Sequence, residues 1–254
     1  MADALLEIED LTKRFGGVIA SDRISLTLKR GELQAIIGPN GAGKTTLIGQ
    51  LTGEIAPDAG SVRFDGQDIT ALPVYRRSAI GLARSFQITS LFLDFTALDN
   101  VALAVQAHAG HSFRFWRNAG SDDELREPAR AALVNVGLGA SADALAADLS
   151  HGERRQLEIA MALATKPRVL LLDEPMAGMG PEESVRLIEI LRRLKGGVTI
   201  LLIEHDMDAV FALAERISVL VYGRIIASGD PAAIRADPVV RQAYLGEGKG
   251  AGGG

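Results

Sequence analysis

The chain contains no cysteine in its 254 residues, which rules out disulfides and thiolate metal sites and suits a reducing compartment. It has no basic excess either. The 27 lysines and arginines are outnumbered by 32 aspartates and glutamates, for a net charge of -5, so no basic face for nucleic acid is expected. Long apolar runs are also missing. The strongest, Val169–Leu172, Val198–Ile203 and Ile217–Tyr222, are strand-sized and far short of the ~20 residues that span a bilayer. The first ten residues carry Asp3, Glu7, Glu9 and Asp10, the wrong sign for a secretory leader. These absences predict a soluble chain whose membrane association, if any, goes through a partner.

What is present is an ordinary globular composition, 47% hydrophobic and 23% charged, and a length that supports one substantial core. The first third reads as strands. Leu5–Leu11 and Ile24–Leu28 mix or alternate apolar and polar residues, and Leu33–Ile37 is a short buried run stopped at Gly38-Pro39. Ser61–Phe64 is bracketed by turn residues, Pro57, Asp58 and Gly60 before it and Asp65-Gly66 after it. The middle is helical. One helix starts at Thr96 with Asp99 and buries Leu98, Val101, Ala102 and Val105, and a polar stretch from His108 to Asp123 precedes a second over Glu124–Val136. Strand Val169–Leu172, helix Glu182–Leu194, strand Val198–Ile203, helix Met207–Ala214 and strand Ile217–Val221 follow. Such alternation predicts an α/β fold with a parallel sheet covered by helices. The glycine-rich segment 246–254 is expected to be disordered.

Three segments carry chemistry. Gly38-Pro39-Asn40-Gly41-Ala42-Gly43-Lys44-Thr45 fits G-x-x-x-x-G-K-[ST], follows a buried strand and precedes a helix over Thr46–Leu51. In such a loop the glycines let backbone N–H groups turn inward around a phosphate, and the helix adds its positive end. Lys44 reaches the β and γ oxygens, and Thr45 offers a hydroxyl to Mg²⁺. In the second segment, strand Val169–Leu172 delivers Asp173 and Glu174 at its carboxyl end, where open α/β sheets bind ligands. Asp173 is placed to hold Mg²⁺ through water, and Glu174 to orient or deprotonate the attacking water. Alone, two acids after a strand read as a cap or solvated turn; beside the loop they read as an ATPase pair. The third segment is Leu149-Ser150-His151-Gly152-Glu153, in which Ser150 and Glu153 form a capping box for a helix reaching Ala164.

The order of these segments resembles the ABC ATPase family over nearly the whole chain. The family signature Leu-Ser-Gly-Gly-Gln is similar to Leu149–Glu153, with His151 and Glu153 as departures. The resemblance implies that Ser150 and Gly152 meet the γ-phosphate of ATP held by an opposite subunit. Gln87, in Ser85-Phe86-Gln87, resembles the glutamine that touches Mg²⁺ and the attacking water and links to the membrane subunit. His205 resembles the switch histidine at the γ-phosphate, where a lone histidine after a strand is usually incidental. Phe15 resembles the aromatic that stacks on adenine, with a core phenylalanine as the alternative. Ala177-Gly178-Met179-Gly180 sits at the inter-subunit loop, and Gly180 replaces the usual Asp. Site residues therefore include Thr46 with the loop Gly38–Thr45, and the cofactors implied are ATP and Mg²⁺.

The implied architecture is a P-loop, RecA-like, mostly parallel core (1–88 and 160–245) with an N-terminal antiparallel β subdomain, and a helical signature subdomain (89–159). Within the family the chain is most similar to ATP-binding subunits of bacterial branched-chain amino-acid importers, a group that also serves amides and urea. Arg84-Ser85-Phe86-Gln87, the Phe113–Arg117 stretch, Ala177-Gly178-Met179, Glu204-His205-Asp206-Met207 and Tyr244-Leu245-Gly246-Glu247 carry that likeness. It implies a head-to-tail ATPase dimer with a like or paralogous subunit, on the cytoplasmic face of the inner membrane. Two transmembrane permease subunits complete it, with a periplasmic binding protein acting indirectly and no nucleic acid. The apolar cluster Ile88, Leu91, Phe92, Leu93 and Phe95 reads either as core or as one wall of the permease groove. In the second case Arg84, Asp94, Arg114 and Arg117 supply its polar rim, and Leu91 or Phe92 is exposed. A non-transport ABC ATPase and a catalytically silent partner subunit are the rival readings. The first lacks its usual insertions here, and Glu174 and His205 oppose the second.

Overall fold

The computed structural model describes residues 3–84, 91–108 and 123–242. Gln87, Ile88, the Phe113–Arg117 stretch, the Tyr244–Glu247 ending and the glycine-rich segment lie outside the described residues. In chain order the elements are β1 (Ala4–Phe15), β2 (Val18–Lys29), β3 (Leu33–Ile37), α1 (Lys44–Thr52), β4 (Ala59–Phe64), β5 (Gln67–Asp68), α2 (Val74–Ala79) and β6 (Leu82–Arg84). After them come α3 (Ala97–His108), α4 (Asp123–Asn135), α5 (His151–Ala164), β7 (Val169–Asp173), α6 (Pro181–Leu194), β8 (Thr199–Ile203), α7 (Met207–Leu213), β9 (Arg216–Val221), β10 (Arg224–Gly229) and α8 (Pro231–Ala236).

Two sheets organise the chain. An antiparallel sheet has the order β2-β1-β4-β5, and a six-stranded sheet has the order β10-β9-β3-β8-β7-β6. All neighbours in the second are parallel except β10, which pairs antiparallel with β9. This is the expected α/β arrangement with an antiparallel β layer at the N-terminal end.

The period-two alternation of strand side chains divides the interior. Leu33, Ala35 and Ile37 of β3, Leu170 and Leu172 of β7, and Ile200 and Leu202 of β8 face one core, shared with α3 to α7. Ile36, Val169, Leu171, Leu201 and Ile203 face the other, where Leu47, Ile48 and Leu51 of α1 meet the antiparallel sheet. The strands are thus apolar on both faces because each face has its own cover. Helix α1 lies between the sheets, which fixes the loop before it.

Several elements exceed the sequence reading. Strand β1 runs on to Phe15 through register shifts after Ile8 and Leu11, and β2 begins at Val18 rather than Ile24. Their extensions, Thr12–Phe15 and Val18–Arg23, do not alternate apolar with polar residues, so periodicity gives no sign of them. Strand β9 ends at Val221 as expected, and Tyr222 beyond it is 84% exposed in the turn to β10, with φ +46. Helix α2 was absent from the reading, and it carries a buried charge. Arg77, 1% exposed, donates to the carbonyls of Gln50 and Leu51 (both 2.7 Å), Thr70 (2.8 Å) and Leu72 (2.9 Å). It thereby satisfies the carboxyl-terminal end of α1, whose dipole favours a cation.

Candidate active site

Strand β3 is buried along its whole length and stops at Gly38. There a Cβ would lie 2.2 Å from the Leu220 carbonyl oxygen of neighbouring β9, so only glycine fits. At Gly43 a Cβ would lie 2.2 Å from the Ala20 carbonyl oxygen of β2, and the backbone has φ +105. The loop is therefore pinned between the two sheets by steric exclusion as well as by its turn. The loop itself closes with Ala42 N donating to the Pro39 carbonyl at 3.2 Å. Asn40, Gly41 and Thr45 are exposed, Thr46 is half-buried, and Lys44 is buried at 7%. The Lys44 ammonium donates to the carbonyl oxygens of Gly38 (2.6 Å) and Pro39 (3.2 Å). It thus ties the two ends of the loop together, and α1, which begins at Lys44, has no side-chain cap at its N-terminus. An uncapped helix N-terminus of this kind can receive an anion.

Two strands away, β7 ends on Asp173, 3% exposed. Burial pushes its carboxyl up, against the pull of the Arg84 guanidinium, whose Nη2 lies 3.1 Å from Oδ2. Glu174 follows in a left-handed conformation, φ +46, its amide donating to the Ile203 carbonyl of β8 at 2.9 Å. That tie turns the Glu174 side chain out of the strand path. Its Oε1 stands 3.9 Å from Nδ1 of His205, which follows β8 and is exposed.

Glu204, whose own role the sequence does not reveal, braces this pair. It is fully buried; Oε1 accepts from Met176 N at 2.9 Å, and Oε2 accepts from His205 N (2.9 Å) and Asp206 N (3.3 Å). One carboxylate thus holds the loops after β7 and β8 together. A charged residue at the end of an apolar strand was the available signal.

The Ser150–Glu153 capping box forms as expected. Glu153 N donates to Ser150 Oγ at 3.2 Å and Ser150 N to Glu153 Oε2 at 2.9 Å. At the same helix end Glu183 Oε1, from α6, accepts from Gly152 N at 3.2 Å, so an internal carboxylate lies against the signature amide. A Cβ at position 152 would come within 2.5 Å of that oxygen. His151 Nε2 lies 3.3 Å from the Ala177 carbonyl, which connects the signature to the loop after Glu174. In that loop Gly180 caps α6, its amide donating to Glu183 Oε2 at 3.2 Å. Arg155, one turn into α5, donates to the carbonyls of Glu174 (3.2 Å) and Pro175 (3.3 Å) and to Glu158 Oε2 (2.7 Å).

Phe15 is 51% exposed at the β1–β2 hairpin, with Lys13 Nζ 5.5 Å from its ring centre. The core alternative for Phe15 is therefore wrong. Beside β6 a groove of about 720 Å³ opens between Tyr75 and Ser78 of α2, Leu103 of α3 and Met161 of α5. Leu91 and Phe92 line it too. Phe92 is 55% exposed, whereas Leu91 packs against the core. Asp94 faces a separate small cavity with Phe95 and Thr96. Glu158 lies on the groove wall, and its Oε1 is buried with no hydrogen-bond partner among the described residues.

For a metal, the donors are hard oxygens: the Asp173 carboxylate and the Thr45 hydroxyl. No cluster of three or more His, Cys, Asp or Glu able to hold a metal occurs among the described residues. One carboxylate and one hydroxyl fit Mg²⁺ delivered with a nucleotide, since that ion keeps waters and phosphate oxygens as most of its ligands.

Residues 21–177 match the model of the family described as ABC transporter, and residues 224–250 match that of the Branched-chain amino acid ATP-binding cassette transporter. The high-affinity branched-chain amino acid transport ATP-binding protein BraF of Pseudomonas aeruginosa is 39% identical over 97% of this chain and all of its own. Its counterpart LivG of Escherichia coli K12 is 38% identical, with the same coverage. The lipopolysaccharide export system ATP-binding protein LptB of Acidithiobacillus ferridurans is 35% identical over 96% of this chain and 97% of its own. The ADP conformation of MJ1267, an ATP-binding cassette of an ABC transporter, superposes with a TM-score of 0.85 at 32% identity, covering 96% of this chain and 99% of that one. A dimeric post-hydrolysis cassette, MJ0796 bound to ADP and Pi, superposes with a TM-score of 0.76 at 26% identity, covering 89% and 99%.

Proposed function

This chain belongs to the ABC transporter family of ATP-binding subunits, and from that premise we propose that its ATP hydrolysis drives amino-acid uptake through separate permeases. The cargo class is branched-chain or other hydrophobic amino acids, supported by the match over residues 224–250 and by the names of the BraF and LivG relatives. Among the described residues no helix is long and apolar enough to cross a membrane. On this reading the pathway belongs to two permease subunits, with the ATPase on the cytoplasmic face and an external binding protein selecting cargo.

The observation that carries the catalytic reading is the gathering of Lys44, Asp173, Glu174 and His205 at the carboxyl ends of β3, β7 and β8. Lys44 exchanges its contacts to the Gly38 and Pro39 carbonyls for the β and γ oxygens of ATP. The loop amides from Gly41 to Thr46 cradle the phosphates, and exposed Phe15 stacks on the adenine. Mg²⁺, held through Thr45, Asp173 and Gln87, would neutralise phosphate charge. Glu174 orients the attacking water and takes its proton, and His205 faces the γ-phosphate from beside it.

Ser150 and Gly152 serve the ATP of an opposite subunit in a head-to-tail dimer. The internal Glu183 carboxylate yields the signature amide to that phosphate as the dimer closes. The groove beside β6 takes a short cytoplasmic helix of the permease, a few apolar anchors entering an amphipathic slot. Reconstituting the chain with its permeases in vesicles tests the cargo reading. ATP-dependent accumulation of labelled leucine is the expected result, and accumulation of urea with no leucine would contradict it.

A further inference from the structure

Arg84 closes β6 between two acids that belong to different sites. Its Nη2 donates to Asp173 Oδ2 at 3.1 Å, and its Nη1 donates to Glu54 Oε2 at 2.8 Å. Its Nε is buried and has no hydrogen-bond partner among the described residues. The Asp173 side chain is 3% exposed, whereas that of Glu54 is 46% exposed. Glu54 and Arg84 both line the groove beside β6. A single guanidinium therefore reaches from the carboxylate at the end of β7 to the wall of the docking groove.

A buried carboxylate is held in its charged form only with a counter-charge, and among the hydrogen-bond donors described here Arg84 supplies it. A planar fork with several donors can grip two carboxylates at once, which an ammonium on a single stem does poorly. A divalent cation at Asp173 competes for the same oxygens and repels the guanidinium. Glu54 offers Arg84 a second anchor that remains when Asp173 is taken.

We propose that Arg84 is a positioning residue that holds Asp173 before metal arrives and transfers its charge to Glu54 when Asp173 takes the metal. Metal and nucleotide occupancy thereby changes the charge that the groove presents to its partner. This rests on reading Asp173 as the metal carboxylate and the groove as the permease dock. By linkage the effect is reciprocal: whatever fixes Arg84 on Glu54 favours metal at Asp173.

The test is Mn²⁺ titration of the full chain loaded with ADP, followed by electron paramagnetic resonance, with thermal melting of the metal-free chain in parallel. Arg84→Met should bind Mn²⁺ about fivefold more tightly, and Glu54→Gln about fivefold more weakly. The double variant should match Arg84→Met, because Glu54 acts only through Arg84. Arg84→Met should also melt lower than wild type without metal and recover part of the difference with Mn²⁺ and ADP. Weaker or unchanged Mn²⁺ binding in Arg84→Met would overturn the proposal, as would a Glu54→Gln effect that persists in the double variant. Glu54 is half-exposed, so Glu54→Gln keeps the test decisive if Arg84→Met does not fold: unchanged or tighter binding there also overturns it. Asp173→Asn should lose most Mn²⁺ affinity. If it binds as wild type, the metal assignment beneath the proposal fails instead.

Discussion

Arg155 Nη2 donates to the main-chain carbonyl of Glu174 at 3.2 Å, so the signature helix holds the peptide that carries the proposed base. Its Nη1 holds Glu158 on the groove wall at 2.7 Å. One side chain therefore touches the catalytic loop and the wall of the groove. Glu174 sits at φ +46, a conformation that needs support from its surroundings.

Arg155→Met should lower single-turnover ATP hydrolysis by about tenfold or more, the order expected when a catalytic group is misplaced by a fraction of an ångström. ATP affinity should be almost unchanged, because the described partners of Arg155 are Glu158, Glu174 and Pro175, none of them in the phosphate loop. Titration with a fluorescent ATP analogue beside a rapid-quench assay separates the two. A loss of affinity with normal turnover would count against this link.

Glu158 gives a pH prediction. Burial pushes its carboxyl above the ordinary value of 4.5, against the opposing pull of Arg155. Between that ordinary value and the higher folded one, the native state binds more protons than the unfolded state. Stability then falls as pH rises. Glu158→Gln removes this term, so its melting temperature relative to wild type should climb from pH 4.5 to pH 7. A difference that is flat or shrinks over that range would contradict the burial argument.

Arg77→Met should cost on the order of 3 kcal/mol, because it leaves four carbonyls around the end of α1 without their donor. Urea unfolding monitored by circular dichroism measures it. A change below about 1 kcal/mol would mean that water replaces the guanidinium.

Phe92 is, with Tyr75, an exposed aromatic of the groove, and Phe92→Asp should abolish co-purification with the permeases. Its melting temperature and ATP affinity should stay close to wild type, since the ring packs only partly. Loss of folding would return Phe92 to the core, and unaffected assembly would place the dock elsewhere.

The parts legible in sequence are those whose chemistry is local. The phosphate loop is eight consecutive residues, the Asp173–Glu174 pair is adjacent, and the capping box at Ser150 spans four. Each is visible as a short local pattern, and their order along the chain gives the pair and the capping box a meaning that neither carries alone. The supports were not legible, because they join distant segments: Arg84 to Asp173, Arg155 to Glu174, Gly152 to Glu183. Glu204 stands out in sequence as an acid after an apolar strand within a subgroup-like segment, with no sign of its bracing contacts, and Arg77 only as one arginine of a pair. Phe15 was open because a lone phenylalanine suits a core as well as a platform, and only its exposure decides. The extended ends of β1 and β2 escape a sequence reading for a related reason. Their pairing is set by the partner strand rather than by burial, so no alternation marks them.

The central claim is that Glu174 activates the water that cleaves ATP held over Lys44. Single-turnover hydrolysis by Glu174→Gln, assembled with its partner subunits, tests it most directly. Bound ATP should be retained while its cleavage slows by about two orders of magnitude, the scale of a lost general base. Cleavage at near wild-type rate in that variant would contradict the account.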